Sequence, residues 1–206
     1  MIVIIDYGMG NLSSIQNMLK KISVKSIISS NISVIKNADK LILPGVGSFD
    51  NGMGNLQKMS LISVLNKKVL IDKTLILGIC LGMQLISKRS EEGRLPGLGW
   101  IEAEAVKFKF DNNHANLKIP HIGWNTIKIK KDCLLFKDME ENARFYFVHS
   151  YHLICTRGED IAAMTDYGYE FPSIIQKENI FGVQFHPEKS HKFGKQLLKN
   201  FVEILC

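Results

Sequence analysis

The stretch "LILGICLGMQL", Leu75 to Leu85, decides the fold. An apolar, strand-like run reaches a cysteine with a glycine two positions away on either side, and a helix-like run follows. This is the form of a nucleophile elbow, where a strand turns sharply into a helix and the central side chain projects from the corner. The flanking Gly78 and Gly82 remove Cβ atoms where strand and helix crowd together.

Outward from the elbow, similar units recur. Ile2 to Ile5 is a short, continuous apolar run ended by "DYGMGN", as suits a strand buried on both faces. A helix is predicted from about Leu12 to Lys21, strands near "VKSIISS" and over Leu41 to Leu43 of "KLILPGVGSF", and helices over residues 52–67 and 81–89. This βαβα alternation predicts a parallel sheet covered by helices on both faces. After Gly93 the runs shorten and alternate: "AEAVKFKF", "NTIKIK", "RFYFVHSYHLIC", "PSIIQKE" and "IFGVQF" read as antiparallel or mixed strands added to that core. An amphipathic helix at about Gly194 to Ile204 closes the chain.

At 206 residues the chain is expected to form a single domain, 1–206, since two typical domains need more. Its net charge of +6 comes from Lys scattered along the chain, with no Arg clusters or interleaved aromatics, so nucleic-acid binding is not expected. Cys80, Cys133, Cys155 and Cys206 form neither a CxxC pair nor a disulfide ladder and read as reduced thiols. With no segment near the ~18 apolar residues of a membrane span and no basic leader, a cytoplasmic protein without membrane contact is expected.

A free cysteine is most often a small buried hydrophobe. At an elbow, however, its sulfur meets the unpaired N–H groups and positive dipole end of a helix, which favours thiolate over thiol. The other end of the chain supports the chemical reading. In "GVQFHPEKS", His186 and Glu188 stand two apart just beyond an apolar strand, Ile180 to Phe185. In extended chain they face the same side, as a base and its orienting carboxylate require. "LPGVG", Leu43 to Gly47, is a glycine-flanked turn after a core strand, able to present main-chain N–H groups to an oxyanion, with the N–H of Leu81 as the second donor. All three groups lie at strand ends, where open α/β sheets build their sites.

Taken together, "PGVG", "GICLGMQL" and "GVQFHPE" resemble the class I, triad-type glutamine amidotransferases. "IDYGMGN", "PHIGWN", "FYFVHSYH" and "FHPEKS" narrow the resemblance to the branch formed by the glutaminase subunits of imidazole glycerol phosphate synthases. The resemblance spans essentially the whole chain. It implies a three-layer αβα sandwich of flavodoxin-like type, with a mainly parallel central sheet and antiparallel strands added in the C-terminal half. It further implies Cys80, His186 and Glu188 as catalytic triad, and an oxyanion hole at Val46 and Leu81. Glutamine-binding groups at Gly47, Gln84, Glu92, Ser150 and Tyr151 also follow, with neither cofactor nor metal. Glu92 reads equally well as a surface charge, and His149 and His152, alternating along a strand, read as structural.

The implied partner is a (βα)8-barrel cyclase that forms a heterodimer and receives ammonia through a tunnel, since a chain of this length is filled by the glutaminase domain. Trp124 and Lys189 are the contact candidates, although Trp124 reads equally as a core aromatic. The Gly45-Val46 peptide is expected to act as a switch of the oxyanion donor, and Gly45→Pro to block it while leaving the fold intact. The segment "AVKFKFDNNHANLKIPHIGWN" is longer and more polar than the histidine-pathway enzymes lead one to expect. That leaves open a paralogous glutaminase supplying ammonia for amidino sugars of surface polysaccharides. A stand-alone γ-glutamyl hydrolase and a non-catalytic scaffold are the remaining alternatives.

Overall fold

The computed structural model of the chain describes residues 1–111 and 116–204. Four strands, apolar but for Lys40, form the middle of the molecule: β1 (Ile2–Ile5), β3 (Lys40–Leu43), β4 (Leu75–Ile79) and β13 (Ile180–Val183), every residue of them buried. With β2 (Ser26–Ser29) at one edge they pair in parallel in the order β2-β1-β3-β4-β13. Three antiparallel strands extend the sheet from β13: β12 (Glu170–Lys177), β11 (Ile161–Asp166) and β8 (Lys128–Ile129).

Strand alternation feeds two cores. Ile2, Ile4, Ile42, Leu75 and Leu77 point to one face, where they pack with Ile15, Met18 and Leu19 of α1 (Leu12–Lys21) and Leu197, Leu198 and Phe201 of α6 (His191–Glu203). Val3, Ile5, Leu41, Leu43 and Ile76 point to the other, under α2 (Ile32–Lys36), α3 (Phe49–Lys58), α4 (Leu61–Asn66) and α5 (Leu81–Leu85). Each such side chain contributes roughly 1.5–3 kcal/mol on full burial, so both helical layers are held by the same strands. This is the expected three-layer αβα arrangement.

Several local expectations are revised. The helix read over 52–67 is two helices, because Ser60 takes a left-handed conformation (φ 57°) between them, and a π turn at Lys67–Ile71 follows. The helix read over 81–89 ends early, and the chain turns at Ser87, whose Oγ donates to the Arg89 carbonyl (3.1 Å), into β5 (Arg89–Ser90). α2 gave no signal; it is five residues long and is started by Asn31, whose side chain accepts from Ser33 N (2.8 Å). The run "RFYFVHSYHLIC" is not one strand. It breaks at Ser150 into β9 (Arg144–His149), paired with β7 (His121–Thr126), and β10 (Tyr151–Cys155), paired with β6 (Ala103–Lys107) beside β5. Residues 112–115 of the polar segment before "PHIGWN", and Cys206, lie outside the described residues. Among the described residues no helix is long and apolar enough to cross a membrane.

Candidate active site

Cys80 follows β4 with φ 53° and ψ −109°, a strained conformation for a residue with a Cβ. It is held there by hydrogen bonds on both sides: its N–H donates to the Val183 carbonyl (2.8 Å), and its carbonyl accepts from Gln84 N (3.2 Å). The packing role of the flanking glycines is explicit. A Cβ on Gly82 would lie 1.8 Å from the Leu43 carbonyl oxygen, and one on Gly78 would lie 2.6 Å from Ile86 Cδ1.

β13 lies beside β4 with Val183 opposite Ile79, so the chain that continues from it emerges next to the elbow. His186 ends that segment, its N–H donating to the Tyr146 carbonyl (2.9 Å). Pro187–Lys189 then forms a 3-10 turn, for which proline's fixed φ is suited. His186 and Glu188 therefore meet because the chain curls back, and not through the strand alternation expected from their spacing. His186 Nδ1 lies 2.8 Å from Glu188 Oε1, and both side chains are only 2% exposed. Ser190 anchors the turn: its Oγ donates to the His186 carbonyl (2.6 Å) and accepts from Tyr146 N (3.0 Å). Burial alone would lower the His186 imidazole, but its hydrogen bonds with Cys80 and Glu188 outweigh this and raise it to about 10.

A cleft of about 250 Å³ opens over the Cys80 sulfur. Its lining includes Val46, Gly47, Leu81, Gln84, Glu92, Ser150, Tyr151 and Lys189, so these candidates, from five separate parts of the chain, converge with Cys80 and His186. Glu188 stands behind His186. Glu92 has a further task, since its Oε2 accepts from Phe49 N (2.8 Å) at the start of α3, the helix that follows the "PGVG" turn. Gly47 has φ 123°, where any side chain is strained.

Gly45 requires a correction. A Cβ there would come within 2.7 Å of Leu81 Cβ and of the Tyr7 hydroxyl, and within 2.9 Å of Gly82 N. Gly45→Pro therefore wedges the turn off the elbow and does not leave the fold intact. Tyr7 is itself committed, its hydroxyl donating to the Pro44 carbonyl (2.5 Å).

Trp124 is not a core aromatic. It is 43% exposed on β7 and stacks on His191, with ring centroids 5.4 Å apart and an interplanar angle of 6°. Lys189 is exposed at the mouth of the cleft, its Nζ 5.6 Å from the centre of the Tyr146 ring.

Sequence reasoning missed Gln184 and His121, and read His149 and His152 as structural without their partners. Gln184, fully buried, directs its Nε2 to Cys80 Sγ (3.7 Å) and accepts from Gln84 Nε2 (3.1 Å). His121 meets His149 (3.0 Å), while His152 bonds to the Tyr169 hydroxyl (2.8 Å). The only sequence trace of this group was the number of histidines in "PHIGWN" and "VHSYH".

Residues 3–205 match the family model for glutamine amidotransferase class-I. The chain is 56% identical over 203 residues to the imidazole glycerol phosphate synthase subunit HisH 2 of Methanococcus maripaludis, covering 98% of this chain and 99% of that protein. It is 47% identical to the subunit of the same name from Pseudomonas aeruginosa, with 100% of both chains covered. Among solved structures, that of PurLQS from Thermotoga maritima superposes with a TM-score of 0.72 at 16% identity, covering 98% of this chain and 96% of that one, a likeness of fold.

Proposed function

The chain belongs to the class I glutamine amidotransferases, and from this premise we propose that it is the glutaminase subunit of an imidazole glycerol phosphate synthase. In this reading it hydrolyses glutamine to glutamate and delivers the ammonia to a barrel-shaped cyclase subunit for histidine biosynthesis. The observation that carries the reading is the convergence of the Cys80 thiol and the His186 imidazole in one cleft, with the Glu188 carboxylate on His186 Nδ1 behind it.

Cys80 Sγ attacks the side-chain amide carbon of glutamine, and the carbonyl oxygen, now an oxyanion, takes hydrogen bonds from the main-chain N–H groups of Val46 and Leu81. Glu188 accepts from His186 Nδ1, so Nε2 is the nitrogen turned to the reaction. It gives its proton to the departing nitrogen as the C–N bond breaks, leaving ammonia and a γ-glutamyl thioester. Water then attacks the thioester with Nε2 as base, and the S–C bond breaks to give glutamate and the free thiol. Gly47, Gln84, Glu92, Ser150 and Tyr151 hold the amino acid's own groups.

An exposed apolar face supports a partner subunit. Ile122 (58% exposed) and Trp124 share one side of β7, and Val46 (52%) of the oxyanion turn is exposed at the cleft. Arg144 stands beside Trp124, its guanidinium carbon 5.9 Å from the ring centre. Such an aromatic and apolar centre with Arg at its side is the composition of a docking surface. The test is glutamate release by the chain alone and with each cyclase from the same source, with and without the cyclase's ligand. Stimulation by the histidine-pathway cyclase is expected. Stimulation only by a different barrel protein would move the chain to another acceptor, and brisk hydrolysis by the isolated chain would make it a stand-alone hydrolase.

A further inference from the structure

A line of polar side chains runs from β7 to the cleft, and its hydrogen bonds fit together in one direction only. Asn125 Nδ2 lies 3.4 Å from His121 Nε2, His121 Nδ1 lies 3.0 Å from His149 Nε2, and His149 Nδ1 lies 2.8 Å from the Tyr151 carbonyl oxygen. A carbonyl only accepts, so His149 carries its proton on Nδ1 and must accept at Nε2. His121 therefore donates from Nδ1 and accepts at Nε2 from the Asn125 amide. Every ring nitrogen is used and both rings are neutral. Burial holds His121 down at about 4 and His149 well below the ordinary range, so the same pattern holds at neutral pH.

The line ends where the glutamine pocket needs support. Ser150 and Tyr151 sit where the chain passes from β9 to β10, which belong to different sheets; the β6 side holds them through the Tyr151–Lys107 pairing and the Ser150 carbonyl, which accepts from Phe108 N (3.1 Å), while the Tyr151 carbonyl is left to side chains. The Tyr151 carbonyl accepts a second bond from Gln84 Nε2 (2.9 Å), which joins this junction to the elbow helix. An apolar ring would fill the space at position 149 among Phe108 and Phe171, both with centroids 5.2 Å away, but would leave that carbonyl without one of its two donors.

We propose that His149, oriented by His121, is a positioning residue for glutamine recognition, fixing the main chain of Ser150 and Tyr151 at the cleft wall through the Tyr151 carbonyl. This rests on the glutaminase reading and adds to it His149 in the cleft wall and His121 behind it. His121 does not itself line the cleft, and its hydrogen bond to His149 is the side-chain route by which its substitution is expected to act on glutamine recognition.

The test uses the full chain and two reagents for Cys80: a chloroketone analogue of glutamine that keeps the α-amino and α-carboxylate groups, and iodoacetamide, which keeps neither. His149→Leu and His121→Leu are expected to raise the half-saturating concentration of the chloroketone about tenfold, with its limiting rate and the iodoacetamide rate changed less than about twofold. His149→Asn, which keeps a donor near the Nδ1 position, should recover most of the loss. An unchanged half-saturating concentration in both Leu variants, equal damage in His149→Asn, or a parallel fall in iodoacetamide labelling overturns the inference. Should His149→Leu lose its cooperative melting transition, His121→Leu compared with His121→Asn carries the same test. Wild-type chain that the chloroketone fails to label saturably would instead refute the glutaminase reading.

Discussion

Two helical glycines make opposite predictions. Gly194 lies in the first turns of α6, against the turn that follows His186, the base of the proposed mechanism, and a Cβ there would stand 1.8 Å from the Pro187 carbonyl oxygen and 2.7 Å from its carbon. An ordinary carbon-to-oxygen approach is about 3.3 Å. Gly194→Ala must therefore drive helix and turn apart by roughly 1.5 Å, and a displacement of about 1 Å at a reacting group costs on the order of 100-fold in rate. Overpacking of this kind costs about 1–3 kcal/mol, more than the roughly 0.5–1 kcal/mol that Ala gains over Gly within a helix. Gly54, in α3, has open space instead, its nearest neighbour being Leu95 Cδ1 at 4.0 Å. Gly54→Ala should stabilise by about 1 kcal/mol and leave turnover unchanged. Urea unfolding measures the stabilities, and glutamate release by the complex at saturating glutamine measures the rate. Iodoacetamide labelling reports separately on the elbow, which Gly194 does not touch, and should survive in Gly194→Ala. Wild-type stability and turnover in Gly194→Ala would refute the claim that helix packing sets the position of His186.

The pH dependence of stability follows from the raised His186. Between 6.5, its ordinary value, and about 10, the folded chain binds a proton that the unfolded chain does not. Its contribution is therefore complete below pH 6.5 and is lost as pH rises through that window, by at most about 1.4 kcal/mol per pH unit. Cys80→Ala removes the main interaction that raises the imidazole and should flatten the slope in urea titrations; equal slopes in the two chains would contradict it. Glu188→Gln offers Nδ1 an amide that can present its own N–H, and turnover should fall by about two to four orders of magnitude, whereas a loss under about fivefold would deny Glu188 its orienting role. Trp124→Ala should weaken cyclase binding by about thirtyfold in calorimetry, the effect of losing one aromatic anchor, and an unchanged Kd would remove β7 from the docking face.

What could be read from the sequence was whatever is decided locally. The four apolar runs at Ile2, Leu41, Leu75 and Ile180 announce themselves because a strand buried on both faces admits little that is polar, Lys40 at the start of β3 being the exception, and α1 was legible to its ends because its amphipathic spacing is uninterrupted. α2 was silent, being too short for a period. The Ser60 break was silent too, because a left-handed serine leaves no trace in composition. Strand direction is also hidden: "IFGVQF" reads the same whether its neighbour runs with it or against it, and the parallel pairing of β13 with β4 is settled by distant partners. In the site, Cys80 and His186 stood out through glycine and proline beside them. Gln184 and His121 did not, since a polar residue next to an apolar run carries no sign of which buried group it will satisfy.

The insertion of β13 between β4 and β12 has a consequence for a chain still being made. Until Ile180–Val183 are synthesised, β4 has an open flank and Cys80 has no imidazole at its side. A product that stops short of that strand would lack both the Val183 carbonyl that holds the Cys80 N–H and the His186 imidazole, and is expected to release no ammonia. Competence to spend glutamine arrives with the last strand, so that the chemistry itself certifies a finished sheet.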